Sequence, residues 1–295
     1  MPNPFGRPGN WYKGNLHTHT TISDGVLTPQ ETVDVYAAAG YDFLAFTDHD
    51  VVSDYSGLDP RGLTLLSGCE LAQGSGGLGQ ALHVVALGLV ALPQRPRYPS
   101  YPELVTAIAA QCGLCFLAHP FWSLITPEEL LGLAGHVGVE VFNTLCQLSY
   151  NRGYSEYAWD ILLAHGERLW GFAVDDAHHR EDYGRAWVMV RSVEGGEAAL
   201  LTALRAGDFY ASNGPEIYDM VIKDDQVVIH CSPCQQIGLI SPAPAVVLTT
   251  SSLEAGPPFE HVCLPLRAPD LPCRVEVIDE CGRKAWTNPV FPEEI

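Results

Sequence analysis

Short apolar stretches alternate with amphipathic segments through the first two-thirds of the chain. The apolar stretches, which we predict to be strands, lie at residues 42–47, 63–67, 114–118, 139–142, 169–174 and 186–190. Amphipathic helices are predicted at residues 29–39, 102–111, 155–165 and 196–206, with a short helix after residue 126. Strands that alternate with helices are typical of a parallel α/β sheet or barrel.

Two of the predicted helices begin with the same sequence signal. Thr28 is followed by a proline and then by Glu31, and Thr126 is followed by a proline and then by Glu129. Each pair forms a capping box around a proline in the first helical turn. Gly40 stands where a left-handed residue commonly ends a helix. Capping chemistry therefore supports the helix starts that periodicity suggests.

The pattern changes after Gly214, where apolar and polar residues begin to alternate. Segments such as VVIHC and RVEVID have a period of two, and glycine, proline and serine separate them. No convincing helix remains in this part of the sequence. We therefore predict an α/β domain at residues 1–214 and a small all-β domain, of the sandwich type, at residues 215–295.

Composition narrows the functional classes. The 295 residues include 35 acidic and 16 basic side chains, a formal net charge of -19. Such an excess of acid disfavours a nucleic-acid scaffold, which needs Lys and Arg against phosphates. No apolar run is long enough for a membrane helix, and the N-terminus lacks the apolar segment of a secretory signal. We therefore expect no membrane association and a cytoplasmic location.

Nine cysteines include two Cys-x-x-Cys pairs, Cys112/Cys115 and Cys231/Cys234. An odd number of cysteines without a secretory signal predicts reduced thiols. Redox and zinc-knuckle interpretations remain open. However, the first pair leads into an apolar strand, and the second has no further Cys-x-x-Cys to complete a four-thiolate site. We interpret both pairs as packing residues.

Metal-ligating residue types follow the predicted strands at their C-terminal ends, where parallel α/β folds gather functional residues. His17 and His19 are two residues apart after a short strand, so they share one face. His83 lies near the start of its strand, and we expect that strand to fold back over the mouth of the barrel, as in a hairpin. The candidate ligands are His17, His19, Asp24, His49, Glu70, His83, His119, Asp176 and His178.

These donors indicate a hydrolytic metal centre. Imidazole and carboxylate bind zinc, manganese and iron, and the set does not separate the three metals. Thiolates are absent from it, which favours a catalytic over a structural zinc site. Divalent metals lower the pKa of bound water from 15.7 to about 7, and a metal pair can hold the hydroxide while polarising a P=O or C=O group.

The order of the candidate ligands along the chain resembles that of a known family. The candidates occur in the short motifs HTH, SDG, TDHD, GCE, AHP and DAH, with one isolated histidine between GCE and AHP. This ordered series resembles the PHP (polymerase and histidinol phosphatase) family over residues 11–214. The opening WYKGNLHTHT, the strand GRAWVMV, the junction DFYASNGPEI and the ending AWTNP are similar to the CehA/McbA-type branch. The branch resemblance extends to the C-terminus.

The resemblance implies a distorted (β/α)7 barrel of PHP type with two or three divalent metal ions (Zn, Mn or Fe) at its mouth. It implies one metal at His17, His19 and Asp176. Glu70 would bridge this metal to a second, which His83 and His119 also bind. A third metal would be bound by Asp24, His49 and His178. Asp175 adds a carboxylate where many relatives have a small residue, and it would either perturb the third site or support it.

Three functions are compatible with such a site. The leading expectation is a metal-dependent phosphoesterase that uses a metal-bridging hydroxide on a phosphate ester. The alternative is an aryl carboxyl or carbamate ester hydrolase with the same metals, or an enzyme promiscuous between the two. A non-catalytic, metal-stabilised module is the third. We expect a small-molecule ester as substrate, and the β domain is compatible with a homo-oligomer.

We predict catalytic roles for three further residues. Asp48 is a candidate acid or base, or else orients a ligand histidine. His179 is a candidate proton donor to the leaving group, and Arg180 a candidate phosphate clamp; both are alternatively solvated surface residues. Asp50 is a further candidate acid or base, and Arg152 and Arg185 are further candidate phosphate clamps, each alternatively a surface residue. Candidates for the pocket wall are Asn143, Phe121, Trp122, Tyr150 and Tyr154.

Overall fold

The structure is a computed structural model that describes residues 3–79, 81–92, 100–111, 113–242, 247–251, 257–266 and 269–292. Most of the proline-rich connection expected at residues 92–102 lies outside these ranges. So does Cys112, and with it one half of the first Cys-x-x-Cys pair.

Six α-helices occur within the described ranges, and a short 3-10 helix, Pro4–Gly6, precedes them. The helices are α1 Pro29–Ala38, α2 Tyr101–Ala109, α3 Pro127–Leu131, α4 Thr144–Tyr150, α5 Glu156–Ala164 and α6 Glu197–Ala206. Both predicted capping boxes are confirmed, since Thr28 and Thr126 accept hydrogen bonds from the N–H groups of Glu31 and Glu129. Helix α4 is absent from the sequence prediction.

The strands include all six that the sequence predicts in the first part, each within a few residues. In the first part they are β1 Asn10–Asn15, β2 Phe43–Ala45, β3 Thr64–Leu66, β4 Gly68–Ser75, β5 Ala81–Leu87, β6 Leu114–Leu117, β7 Gly138–Asn143, β8 Trp170–Val174, β9 Trp187–Ser192 and β10 Phe209–Ser212. Those that follow are β11 Ile217–Lys223, β12 Gln226–Cys234, β13 Gln236–Ile240, β14 Val247–Ser251, β15 Phe259–Pro265, β16 Arg274–Ile278 and β17 Lys284–Thr287.

The first part is a mixed rather than a parallel sheet system. β1, β2 and β3 pair in parallel, as do β6, β7 and β8. β4 and β5 form an antiparallel hairpin, which confirms the expected return of the strand that carries His83. β9 and β10 are also antiparallel to their neighbours.

The expected closed barrel is not confirmed, because the described strands form no closed sheet. β1–β3 and β4–β8 belong to separate sheets that pack around one hydrophobic core. Between β3 and β4, the Ser67 N–H donates to Glu197 on α6 rather than to a neighbouring strand. At the C-terminal ends, Asp176 N–H donates to His17 carbonyl at 2.9 Å and Glu70 N–H to Thr47 carbonyl at 3.1 Å. Isolated backbone bonds therefore join the two sheets where the candidate ligands lie.

The C-terminal part is rich in β-structure, and its described residues contain no α-helix after α6. β11, β12 and β15 form a three-stranded sheet, while β17 pairs with β10 and so continues the large sheet across residue 214. Arg274 on β16 is buried and pairs with Asp160 on α5 at 2.6 Å. The division into domains at residue 214 stays a prediction.

No helix within the described ranges has both the length and the apolar character that a membrane crossing requires.

A buried histidine far from the candidate ligands predicts a pH-dependent stability. Neither ring nitrogen of His136 has a hydrogen-bond partner among the described residues, and burial lowers its pKa to about 4. The unfolded chain takes up this proton near pH 6.5, so stability present above pH 6.5 is lost as the pH falls towards 4. The loss amounts to roughly 3 kcal/mol. Replacement by leucine should flatten the decline.

Urea unfolding of the parent and His136→Leu between pH 7.5 and 4.5 measures this difference. His165→Leu is the matched control, because His165 is exposed at the end of α5. Equal declines in all three proteins would contradict the assignment.

Candidate metal centre

The structure brings all nine candidate ligands together. Seven of them follow the C-terminal ends of strands, and Glu70 and His83 lie within the hairpin strands β4 and β5. The nine ligands form three groups in which the ligand atoms lie within 4.8 Å of one another. The groups are His17, His19, Glu70 and Asp176; Glu70, His83 and His119; and His19, Asp24, His49 and His178. Glu70 is shared by the first two groups, and His19 by the first and the last.

Glu70 is the centre of this arrangement. Its side chain is buried, and five imidazoles approach its two oxygens. Oε2 lies 3.2 Å from Nε2 of both His17 and His19 and 3.1 Å from Nδ1 of His49. Oε1 lies 2.8 Å from Nδ1 of His83 and 3.1 Å from Nε2 of His119. The carboxylate thus stands between two sets of histidines, as a bridging ligand must.

Two further carboxylates flank Glu70. Asp176 is buried, and its Oδ1 lies 3.2 Å and 3.3 Å from Nε2 of His17 and His19. Asp24 is exposed at the rim, with its oxygens 3.3 Å from Nε2 of His178 and 3.5 Å from Nε2 of His49. The site is therefore buried at Asp176 and open to solvent at Asp24.

The local backbone geometry explains how these side chains come to face the same site. Thr18 N–H bonds to the Thr47 hydroxyl, while His17 and His19 project together, with their Nε2 atoms 3.1 Å apart. His119 and Asp176 have φ values of 29° and 52°, a region that non-glycine residues rarely occupy. Strained backbone of this kind persists where surrounding contacts enforce it, often at functional sites.

Glu140 is a buried carboxylate that the sequence reasoning missed. Its Oε1 lies 2.7 Å from Nδ1 of His17, and its Oε2 accepts from the N–H of His119 and the side-chain amide of Asn143. A carboxylate on the far nitrogen of a ligating imidazole fixes the tautomer and ring orientation. The available signal was a single glutamate inside the otherwise apolar strand β7.

Asp48 lies away from the pocket. It is buried and accepts hydrogen bonds from the N–H groups and hydroxyls of Thr20 and Ser23 and from the Tyr55 hydroxyl. Ser23 in turn lies 3.3 Å from Nδ1 of His19. The geometry favours a role in holding the loop after His19, while catalysis by Asp48 stays a prediction that no contact supports.

The other predicted side chains divide between the pocket and the surface. His179 lines the pocket, and its Nδ1 lies 3.4 Å from Asp182. Arg180 is exposed and lies among no described pocket-lining residues, so the structure does not bring it to the centre. Arg152 and Arg185 are likewise exposed and outside the lining. Asp50 donates its backbone N–H to the Glu70 carbonyl.

Asp175 points away from the ligands. It accepts hydrogen bonds from Tyr36, Thr144 and the backbone of residues 184–186. Its carboxylate therefore ties α1, α4 and the segment before β9 together beneath the centre, and it does not enter the third group of ligands.

The ligands shift one another's pKa. Burial alone lowers the pKa of His19, but the carboxylates of Asp176 and Glu70 raise it to about 9. Burial alone raises the pKa of Glu70, whereas the charge on His17 and hydrogen bonds from the imidazoles hold it well below its ordinary value. Protons on histidines thus compensate the carboxylates, and a metal ion that binds here displaces them.

A pocket of about 290 Å³ opens above the ligands. Trp122 and Tyr150 form an aromatic corner in its wall, with ring centroids 5.9 Å apart, and Ser149 and Leu145 of α4 lie beside them. The described residues that line it include no lysine or arginine. Of the other predicted aromatic walls, Phe121 and Tyr154 line a different cavity.

These residues fit divalent metal ions. Asp176 Oδ1 lies close to His17 and His19, and Nδ1 of His83 lies close to Glu70, but none of these contacts has the geometry of a hydrogen bond. Both buried atoms therefore lack a hydrogen-bond partner among the described residues. Buried polar atoms of this kind are costly unless a partner satisfies them. Because the unsatisfied atoms belong to carboxylate and imidazole groups that face one another, a cation is the partner that satisfies both.

Comparison with known proteins gives partial matches. No family model matches the chain. It is 38% identical over 82 residues to a 5'-3' exoribonuclease of Haemophilus influenzae, which covers 25% of this chain and 28% of that one. It is 37% identical over 79 residues to a 3',5'-nucleoside bisphosphate phosphatase of Chromobacterium violaceum, which covers 25% and 27%. The matches thus span about a quarter of the length of these relatives.

The fold as a whole has a solved counterpart. A two-domain protein from Bacteroides vulgatus that contains a predicted PHP-like metal-dependent phosphoesterase aligns over 94% of both chains, with a TM-score of 0.55 and 19% identity. At this identity the likeness shows the fold alone, a mixed α/β part followed by a β-rich part.

Proposed function

We propose that the protein is a metal-dependent phosphoesterase of the PHP type that acts on a small phosphate ester. The observation that carries this proposal is the cluster of nine imidazole and carboxylate side chains, with Glu70 at its centre, beneath one pocket. The names of the two partial relatives, an exoribonuclease and a phosphatase, support phosphate esters as the substrate class.

The three groups of ligands suggest how metals are held. We assign one ion to His17, His19 and Asp176, and a second to His83 and His119, with Glu70 between them. Asp24, His49 and His178, the most exposed of the three groups, would hold a third ion. Divalent metals bound by these residues would supply hydroxide near neutral pH and would stabilise the negative charge that develops on a phosphoryl group.

Other residues of the site orient the ligands or donate a proton to the leaving group. Glu140 fixes the imidazole of His17 and also accepts a hydrogen bond from the side-chain amide of Asn143. Asp176 accepts a hydrogen bond from the same amide at 3.0 Å. His179 stands at the rim with Nδ1 towards Asp182. This leaves Nε2 for proton donation to a leaving group, and His179 is the proposed general acid.

One observation favours a second candidate function. The aromatic corner of Trp122 and Tyr150, together with a described lining free of lysine and arginine, suits an uncharged aryl ester better than a phosphate dianion. Hydrolysis of an aryl carboxyl or carbamate ester by the same ligands, as in the CehA/McbA-type branch, is therefore the alternative within this proposal.

A substrate screen separates the candidates. Metal content is measured by elemental analysis, and turnover with p-nitrophenyl phosphate, bis-p-nitrophenyl phosphate, p-nitrophenyl acetate and a p-nitrophenyl carbamate. We expect phosphate ester hydrolysis that a chelator abolishes and added metal restores. Turnover of the acetate or carbamate alone would refute the phosphoesterase assignment. Bound metal with no turnover of any ester would refute both enzyme functions and leave a non-catalytic module.

A further inference from the structure

Two histidines that the metal centre does not use lie side by side on the C-terminal three-stranded sheet. His230 on β12 and His261 on β15 are directly paired across the two antiparallel strands. Their ring centroids are 5.3 Å apart at an interplanar angle of 84°. Both side chains are exposed, and no hydrogen bond holds either imidazole among the described residues. The pair is therefore free to bind a ligand from solution.

A carboxylate completes the row. Asp219 on β11 is the direct partner of His230 on its other side, and it is also exposed. Directly opposite residues of antiparallel strands point to the same face, with Cβ atoms about 4.5–5.5 Å apart. Asp219, His230 and His261 thus form one line across the sheet, with the histidine of the central strand between the other two.

Irregular pairing marks this row on both neighbouring strands. The register shifts between Ile217 and Asp219 on β11, and again between His230 and Cys234 on β12. A bulge re-aims the side chains next to it, and bulges are common beside functional sites. The row of Asp219, His230 and His261 is thus the last regularly paired one before the register shifts.

The chemistry of the row indicates a cation. Two imidazoles placed directly opposite repel each other when both are protonated, whereas a metal ion is attracted to both neutral rings. Two imidazoles and a carboxylate suit zinc, nickel or copper, and magnesium and calcium prefer oxygen donors. The strong acidity of the chain, with its net charge of -19, adds a general attraction for cations.

We infer that His230 and His261, with Asp219, form a second binding site for a divalent transition metal on the C-terminal sheet. The site shares no residue with the nine candidate ligands and lies in a different sheet. Its ligand atoms do not all lie within 4.8 Å of one another, so the exposed side chains must rotate to bind one ion together. The site stands independently of the proposed hydrolytic function, because its ligands lie outside the pocket.

Histidine-selective NMR tests the inference on the full-length protein. Protein with ¹³C-labelled imidazoles is first saturated with zinc and dialysed to remove loosely bound metal, and further zinc or magnesium chloride is then added in parallel samples. We expect zinc, but not magnesium, to shift the resonances of His230 and His261 together. In His230→Ala the shift of His261 should disappear, and in His261→Ala the shift of His230 should disappear. Asp219→Asn should weaken both.

His165→Ala is the matched control, since His165 is an exposed histidine on α5. Its removal should leave the zinc response intact, and ester turnover should be unchanged in every one of these variants. If His261 still responds in His230→Ala, or if the two resonances titrate independently, the shared site does not exist. These outcomes do not depend on whether the protein hydrolyses phosphate esters.

Discussion

Replacement of Glu70 by alanine is expected to abolish ester hydrolysis and to lower the metal content of the purified protein. Five imidazoles face the two oxygens of this one buried side chain. Without it the two innermost groups of ligands lose their shared anion, and the hydroxide that metals supply near neutral pH is lost. We expect turnover to fall at least about 10³-fold, because the pKa of unbound water is 15.7 rather than about 7.

The measurement pairs steady-state turnover with elemental analysis of the same preparation. Glu70→Gln keeps the shape of the side chain and should lose activity as severely, which separates the charge from the packing. Glu128→Gln, an exposed acid on α3, is the control and should match the parent. Full activity in Glu70→Ala would exclude Glu70 as a bridging ligand.

Substitution of Glu140 by glutamine is the second large effect we expect. The carboxylate contacts His17 Nδ1 at 2.7 Å and also accepts from the His119 N–H, so it orients one ligand from each innermost group. Loss of such a supporting carboxylate lowers metal affinity or activity by about 10–100-fold. We expect the metal dissociation constant to rise by this factor, with the fold retained.

Competition with a chromogenic chelator measures the dissociation constant in parent and variant. Circular dichroism and thermal unfolding establish that Glu140→Gln is folded. If the variant is folded and its metal affinity equals that of the parent, Glu140 does not act through His17.

The ligand set can be predicted from sequence because it follows strand ends. Each candidate ligand but Glu70 and His83 comes directly after a short apolar strand or in the loop beyond it, and parallel strands bring their C-terminal ends to one edge. His83 follows from its hairpin, because a strand that returns from Glu70 places it beside the same carboxylate. Residue type and position along the chain were sufficient for these side chains.

The supporting residues could not be found in the same way. Glu140 lies inside β7, where a buried carboxylate has meaning only once His17 is known to face it across 123 residues of sequence. Asp48 stands beside a ligand in sequence, yet its hydrogen bonds to Thr20 and Ser23 turn it away from the pocket. The residues next to a ligand in the sequence are therefore not the same as the residues that contact it in the structure.

Helix α4 was missed for a local reason. It begins directly at the end of β7, with Asn143 accepting from the Cys146 N–H as the cap, and it runs only from Thr144 to Tyr150. So short a helix shows no apolar period, and no glycine or proline separates it from the strand. Its residues Leu145, Ser149 and Tyr150 form one wall of the pocket, so the shape of the pocket was not predictable either.

The sheet connections also lay beyond the sequence. Periodicity predicts strands but not their partners. Here β9 and β10 pair antiparallel where a parallel barrel was expected, and β17 from the C-terminal part pairs with β10. Between β3 and β4 the Ser67 N–H donates to Glu197 of α6, which is 130 residues away in sequence. Periodicity does not show such long-range partners.

Anomalous X-ray diffraction from crystals of the full chain, grown with manganese or zinc and recorded at the absorption edge of that metal, tests the central claim most directly. We predict peaks among the nine ligands, one at His17, His19 and Asp176 and another at His83 and His119, with Glu70 between them. The absence of anomalous density within bonding distance of these side chains, in crystals of protein that hydrolyses esters, would contradict the account.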